Sequence, residues 1–153
     1  MMNHHHGTQA RFASVLDQIL ELTVLLNDDM ASDLERRGLT RSRVHVLWLV
    51  HHRGPMTQRA LADAIDVSAR NITGLVDGLA QTGFITREPH PSDRRATLVT
   101  LTERGTATAL NLEREHEQLA CMLFGDMPGH QFDGFATGLD HVLTALREAT
   151  AGD

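Results

Sequence analysis

The sequence predicts a mainly α protein carrying one small β-hairpin. Three observations lead there. Apolar residues recur at three- and four-residue steps over most of the chain, and capping hydroxyls and glycine stops cut that pattern into separate helices. One segment, "GFITREPHPSDRRATLVTLT", switches instead to β-branched residues on either side of a proline-containing turn. The chain has 153 residues, 41% of them hydrophobic, and no apolar run near the roughly 20 residues that span a bilayer. It reads as one soluble domain, or a domain with helical extensions, with no membrane partner.

From about Thr8 to Arg37, Phe12, Val15, Leu16, Ile19, Leu22, Leu26 and Met30 mark one face of a first helix, which Gly38 ends. Thr40 is a good N-cap for a second helix through "RSRVHVLWLVHH", closed by Gly54-Pro55 and apolar on more than one side, hence central. Thr57 caps a short third helix, "QRALADAI". A turn at Asp66-Val67 then leads to Ser68, the cap of a fourth helix, "ARNITGLVDGLAQT", ended by Gly83. On that fourth helix Ile72, Leu75, Val76 and Leu79 form the inward stripe. Arg70, Asn71, Thr73, Gly74 and Asp77 are left toward solvent or a partner. A short helix, a tight turn and a helix with a polar outer face is the arrangement that presents a recognition helix to a DNA major groove. After the hairpin, Thr102 opens a long charged fifth helix. A sixth follows Gly125 to Gly129, with Phe132, Phe135, Leu139, Val142, Leu143 and Leu146 as its stripe.

A net charge of −6 argues at first against a nucleic-acid partner. The average hides a local balance. Between Pro55 and Gly105, Arg59, Arg70, Arg87, Arg94, Arg95 and Arg104 offset Asp63, Asp66, Asp77, Glu88, Asp93 and Glu103 one for one, so the acidic surplus lies in the flanks. The chain contains no lysine, and every fixed side-chain cation is an arginine, able to grip phosphate or guanine bidentately. Codon bias produces the same skew, so it carries no weight alone. The single cysteine, Cys121, excludes an internal disulfide and a cysteine-rich zinc site. "MMNHHHGTQA" lacks the apolar core of a secretory signal, so a cytoplasmic location is expected, whether His4, His5 and His6 are native or an expression tag. No GxSxG elbow, phosphate-binding glycine loop or HExxH is present, and no enzyme is expected.

The stretch "TQRALADAIDVSARNITGLVDGLAQTGFITREPHPSDRRATLVTLTERG" resembles the winged helix-turn-helix of MarR-family transcriptional regulators. The match includes the helix-turn-helix itself, the "G-[FL]-[IV]-x-R" that leads into the wing, the "D-x-R" at the wing and the "L-T-x-x-G" that follows it. The resemblance implies three parts: an N-terminal helix over 1–37 that joins a dimerisation region, a winged helix-turn-helix over 38–104, and C-terminal dimerisation helices over 105–153. It implies that Ser68, Arg70, Asn71 and Thr73 stand at or near the start of the recognition helix, where hydroxyl or amide holds phosphate and Arg70 or Asn71 reaches base edges. Ser68 can serve as a plain cap at the same time. Arg87, Asp93, Arg94 and Arg95 complete the DNA-facing set: one of the two wing arginines would enter a narrow minor groove and the other would pair with Asp93 to brace the loop. Arg95 is the arginine of the motif, and the sequence leaves open which arginine takes which part. Pro89 and Pro91 would stiffen the hairpin so that its tip is aimed.

The same likeness implies a homodimer on a pseudo-palindromic double-stranded operator, because the stripes of the first and last helices need cover that three short helices and a hairpin cannot supply. The alternative is that both helices fold back on their own chain. A repressor released by a small aromatic or lipophilic effector is expected, with Met30, His45, Trp48, Leu49, His52 and His116 as candidates to line the crevice. A histidine on such a helix is more often structural than a ligand contact. A winged helix used for protein contacts is the competing reading. Oxidant sensing does not fit, since the chain has no tyrosine and Cys121 lies in the fifth helix. Zinc sensing would draw on His45 and His116 with Asp28 or Asp29. Leu112 stands where that pattern has a second histidine, so no metal or other cofactor is expected.

Overall fold

The computed structural model describes residues 3–152, and side chains for 7–28 and 30–152. His4, His5, His6 and Asp29 therefore lie outside the described side chains. Six helices and three short strands follow in the order α1 (Asn3–Arg36), α2 (Arg41–Arg53), β1 (Met56–Thr57), α3 (Gln58–Ile65), α4 (Ala69–Gln81), β2 (Ile85–Pro89), β3 (Thr97–Leu101), α5 (Glu103–Phe124) and α6 (Gly129–Ala151). Among the described residues no helix is long and apolar enough to cross a membrane. The chain divides into two compact units, residues 1–109 and 110–153.

In the first unit the expected caps are in place. Thr40 Oγ1 accepts from the Arg43 amide, Thr57 Oγ1 from Ala60 and Ser68 Oγ from Asn71, at 3.3, 3.1 and 3.1 Å. α1 begins five residues earlier than its apolar pattern does, at Asn3 instead of Thr8, because the polar start offers no periodicity to read. It ends as expected at Gly38: the Leu39 amide reaches back to the Leu34 carbonyl at 2.9 Å and both leucines are buried. α4 stops in the same way, with Phe84 bonded to the Leu79 carbonyl at 2.9 Å across Gly83, whose φ of 79° suits a residue without a Cβ. Between α3 and α4 the left-handed position falls to Asp66 at φ 54°, and the Val67 amide closes the turn on Ala62 at 3.0 Å.

Val46, Leu47 and Val50 of α2 form the core with Leu61 of α3, Ile72, Val76 and Leu79 of α4, Phe84 in the turn after α4, and Ile85 and Val99 of the sheet. Leu75 is only half-buried, at the edge of the stripe. The sheet is antiparallel in the order β1-β3-β2, with Arg87 opposite Val99 and Pro89 opposite Thr97. β1 was not expected from the sequence. Two residues after Gly54-Pro55 carry no alternation, and only their pairing with β3 (Met56 opposite Val99) defines them.

The second unit holds the later part of α5 and all of α6. Phe124 packs on Phe132 and Phe135, with ring centroids 5.6 and 5.9 Å apart. No residue of α6 is buried: Phe132, Phe135, Leu139, Val142, Leu143 and Leu146 are between 40% and 61% exposed.

Candidate nucleic-acid interface

Ser68 fixes the start of α4, and its hydroxyl is engaged by the Asn71 amide. One turn on, the side chains of Arg70 and Asn71 are exposed and have no partner among the described residues. Thr73 is exposed too, but its hydroxyl is occupied: it donates to the Ala69 carbonyl at 2.8 Å and accepts from Gln58 Nε2 at 3.2 Å. The first turn of α4 thus presents one free guanidinium and one free amide beside a helix N-terminus, where backbone N–H groups favour an anion.

Arg87 of β2 pairs its guanidinium with Asp77 of α4, and its Nε donates to Gln58 Oε1 at 3.2 Å, while the two paired side chains stay 34% and 50% exposed. Asp77 thus faces a partner within the fold. Among the described residues Asp93 does not take the arginine side chain expected to brace the loop. Asp93 Oδ1 accepts the backbone amide of Arg95 at 3.0 Å, since an amide two residues ahead lies nearer than a guanidinium at the end of a long stem. Both Arg94 and Arg95 are therefore exposed and without a partner among the described residues.

The tip between β2 and β3 is braced by more than its prolines. His90 Nδ1 accepts the backbone amides of Ser92 and Asp93 at 3.2 and 3.1 Å. Hydrogen bonds from His90 to Ala96 and from Ala96 to Asp93, both 3.1 Å, close the loop. Sequence reasoning missed His90, Gln58 and the Asp77–Arg87 pair. A histidine two residues before a serine is a faint local signal, and the other two depend on chain segments brought together only by folding.

The "L-T-x-x-G" motif also acquires a physical reason. Thr102 Oγ1 donates to the Gly83 carbonyl at 2.6 Å and accepts the Gly105 amide at 3.0 Å, so one hydroxyl ties the end of α4 to the start of α5. A Cβ on Gly105 would fall inside the van der Waals radius of the Phe84 carbonyl oxygen. Arg104 lies over the Phe84 ring, 4.4 Å from its centroid, and donates to the Thr82 carbonyl at 2.7 Å. The wing strands are locked to the helices at this joint.

The candidate effector residues are spread out. On α2, Trp48 is half-buried and stacks on His52 with centroids 4.4 Å apart, while His45 is exposed and Leu49 belongs to the core. Met30 is 41% exposed on α1, and His116 is exposed in the second unit. Among the described residues no three histidine, cysteine, aspartate or glutamate side chains gather as a metal ion would require. Cys121 is exposed on α5.

Comparison with known proteins bears on this geometry. The profile of the MarR family matches residues 39–97, which run from α2 through α3, α4 and β2 to the start of β3. The HTH-type transcriptional repressor YetL of Bacillus subtilis is 33% identical over 105 residues, 66% of this chain and 59% of its own length. The chain thus spans less than two thirds of that curated relative. An HTH-type transcriptional regulator of Mycobacterium leprae is 32% identical over 108 residues, 71% of this chain and 76% of its own. In structure, Streptococcus pneumoniae FabT, solved in complex with DNA, superposes with a TM-score of 0.75 at 16% identity, covering 92% of this chain and 98% of that one. The expected winged helix-turn-helix is the fold of this protein, and with a relative matched over three quarters of its length, the chain belongs to the MarR family of transcriptional regulators.

Proposed function

We propose that this protein is a homodimeric, sequence-specific reader of double-stranded DNA that represses its target and is released by a small aromatic or lipophilic effector. One observation carries the reading: the free side chains of Arg70 and Asn71 open α4, and the free guanidinium groups of Arg94 and Arg95 stand at the tip of a braced hairpin. Such a pair of elements suits a helix in the major groove and an arginine in the neighbouring minor groove. Ser68 contributes the capped helix start, while Asp93 holds the tip. Thr73 and Arg87 act through the network on Gln58 that joins helix to wing.

The exposed stripe of α6 supports self-association, because a contiguous apolar face on a helix is stabilised by burial against a second surface. Two-fold symmetry then gives two α4 helices and a pseudo-palindromic operator. Repression accords with the naming of YetL, and requires only that the occupied operator exclude the transcription machinery. For the effector, the stacked Trp48 and His52 with Met30 and His45 offer aromatic and apolar contact in the first unit. An effector that binds one dimer spacing better than another shifts the population away from the DNA-competent form.

Selection of bound duplexes from a random library by the purified protein tests this reading. Enrichment of an inverted repeat with half-sites about one helical turn apart is expected. Enrichment of no motif, at moderate and at low salt, would overturn it.

A further inference from the structure

α4 holds two glycines in its interior, although glycine there destabilises a helix relative to alanine. A Cβ at Gly78 would displace the flexible Arg43 guanidinium of α2. At Gly74 it would displace nothing. A Cβ at Gly74 would meet no atom within 4 Å beyond the backbone of its own helix, its φ is not in the left-handed region, and the residue is exposed. Alanine would fit the fold at this position and stabilise it. The bare position lies one turn beyond Arg70 and three residues beyond Asn71, on the same face of the helix as both. Gly134 and Gly138 also face open space, on α6, whose apolar stripe is likewise uncovered.

We propose that Gly74 is a specificity-determining position at which DNA approaches the uncovered backbone of α4, so that a methyl group there would hold the helix off the groove floor. The proposal rests on the reading of α4 as the recognition helix. The absent Cβ lets the helix seat deeply enough for Arg70 and Asn71 to reach base edges, which sit several ångströms below the phosphate rim. Fold and function then place opposite demands on one residue: the isolated protein favours alanine and the complex favours glycine.

The test compares the parent with Gly74→Ala and Gly74→Leu as full-length proteins. Thermal unfolding is measured alongside titration of the duplex that the parent selects and of a scrambled duplex. For Gly74→Ala we expect a midpoint about 2 °C higher, from the gain in helix propensity. Its affinity for the selected duplex should fall by roughly tenfold or more, comparable to the effect of one mismatched base pair, with a larger fall for Leu and little change on scrambled DNA. Equal affinity of parent and Gly74→Ala for the selected duplex would overturn the proposal and leave the recognition-helix reading intact. A parent that selects no duplex would overturn both.

Discussion

The apolar stripes of α4 and α6 follow the same three- and four-residue steps, and their fates differ. Ile72, Val76 and Leu79 of α4 are at most 1% exposed, closed over by α2, α3 and the sheet. Phe132, Leu139 and Leu143 of α6 stay 40% exposed, and Leu146 reaches 61%. An amphipathic pattern specifies that a face will be buried, and says nothing about which chain buries it. α4 finds its cover in the elements that flank it in sequence, from α2 to β2. α6 does not find it within its own unit, which contains only the later part of α5 besides. The helix-turn-helix and its wing therefore close their own core, while α6, like α1 with Phe12, Leu16 and Leu25 at 55–69% exposure, leaves its apolar side open.

The strongest way to break this contrast is to charge the open stripe. Leu143→Glu leaves the core of the first unit untouched, so its unfolding should change little. Sedimentation should show monomers, and DNA affinity should fall by about 10²–10⁴, the advantage of two linked half-site contacts over one. A dimer that survives this change with undiminished binding would mean that α6 is covered in another way. The complementary change in the closed core that covers α4 is Phe84→Ala. It removes a 2% exposed ring and should cost about 3–5 kcal/mol in denaturant titration. Retained stability would mean that the lobe is less closed than described.

The wing sharpens the contrast further, since its arginines belong to neither core. Arg94→Ala combined with Arg95→Ala should alter folding stability by no more than about 0.5 kcal/mol, as expected of exposed side chains without a partner. The slope of log affinity against log salt should fall by about one for each phosphate that an arginine no longer neutralises. An unchanged slope would remove the wing from the interface. The smallest effect belongs to Arg87 and Asp77, 34% and 50% exposed at their side chains. A double-mutant cycle on this pair should give a coupling of about 0.2–1 kcal/mol, the range of solvent-screened surface pairs. A much larger value would make the link between α4 and the wing a principal support of the lobe.

Much of this fold was legible because it is written locally. Thr40, Thr57 and Ser68 mark helix starts, Gly38 and Gly83 mark stops, and "ATLVTLT" is β-rich on any reading. β1 was illegible for a physical reason: a two-residue strand has no periodicity, and only its pairing with Leu98 and Val99, far along the chain, makes it one. The site divides along the same line. Arg70, Asn71, Arg94 and Arg95 could be named from helix position and turn chemistry. The pairing of Arg87 depends on Asp77 and Gln58, which lie 10 and 29 residues away in sequence. The brace at the wing tip was half visible: Asp93 was expected to hold the loop, but the partner it uses is the Arg95 amide, and His90 shares the work.

In the proposed complex one dimer places two α4 helices in successive major grooves and a wing in the minor groove beside each. Footprinting on the selected duplex, with major-groove methylation and hydroxyl-radical cleavage read on both strands, addresses it most directly. The account predicts two protected major-groove windows about one helical turn apart, related by a dyad, each with minor-groove protection beside it that the Arg94→Ala, Arg95→Ala variant loses. A single protected window, or minor-groove protection unchanged in that variant, would contradict it.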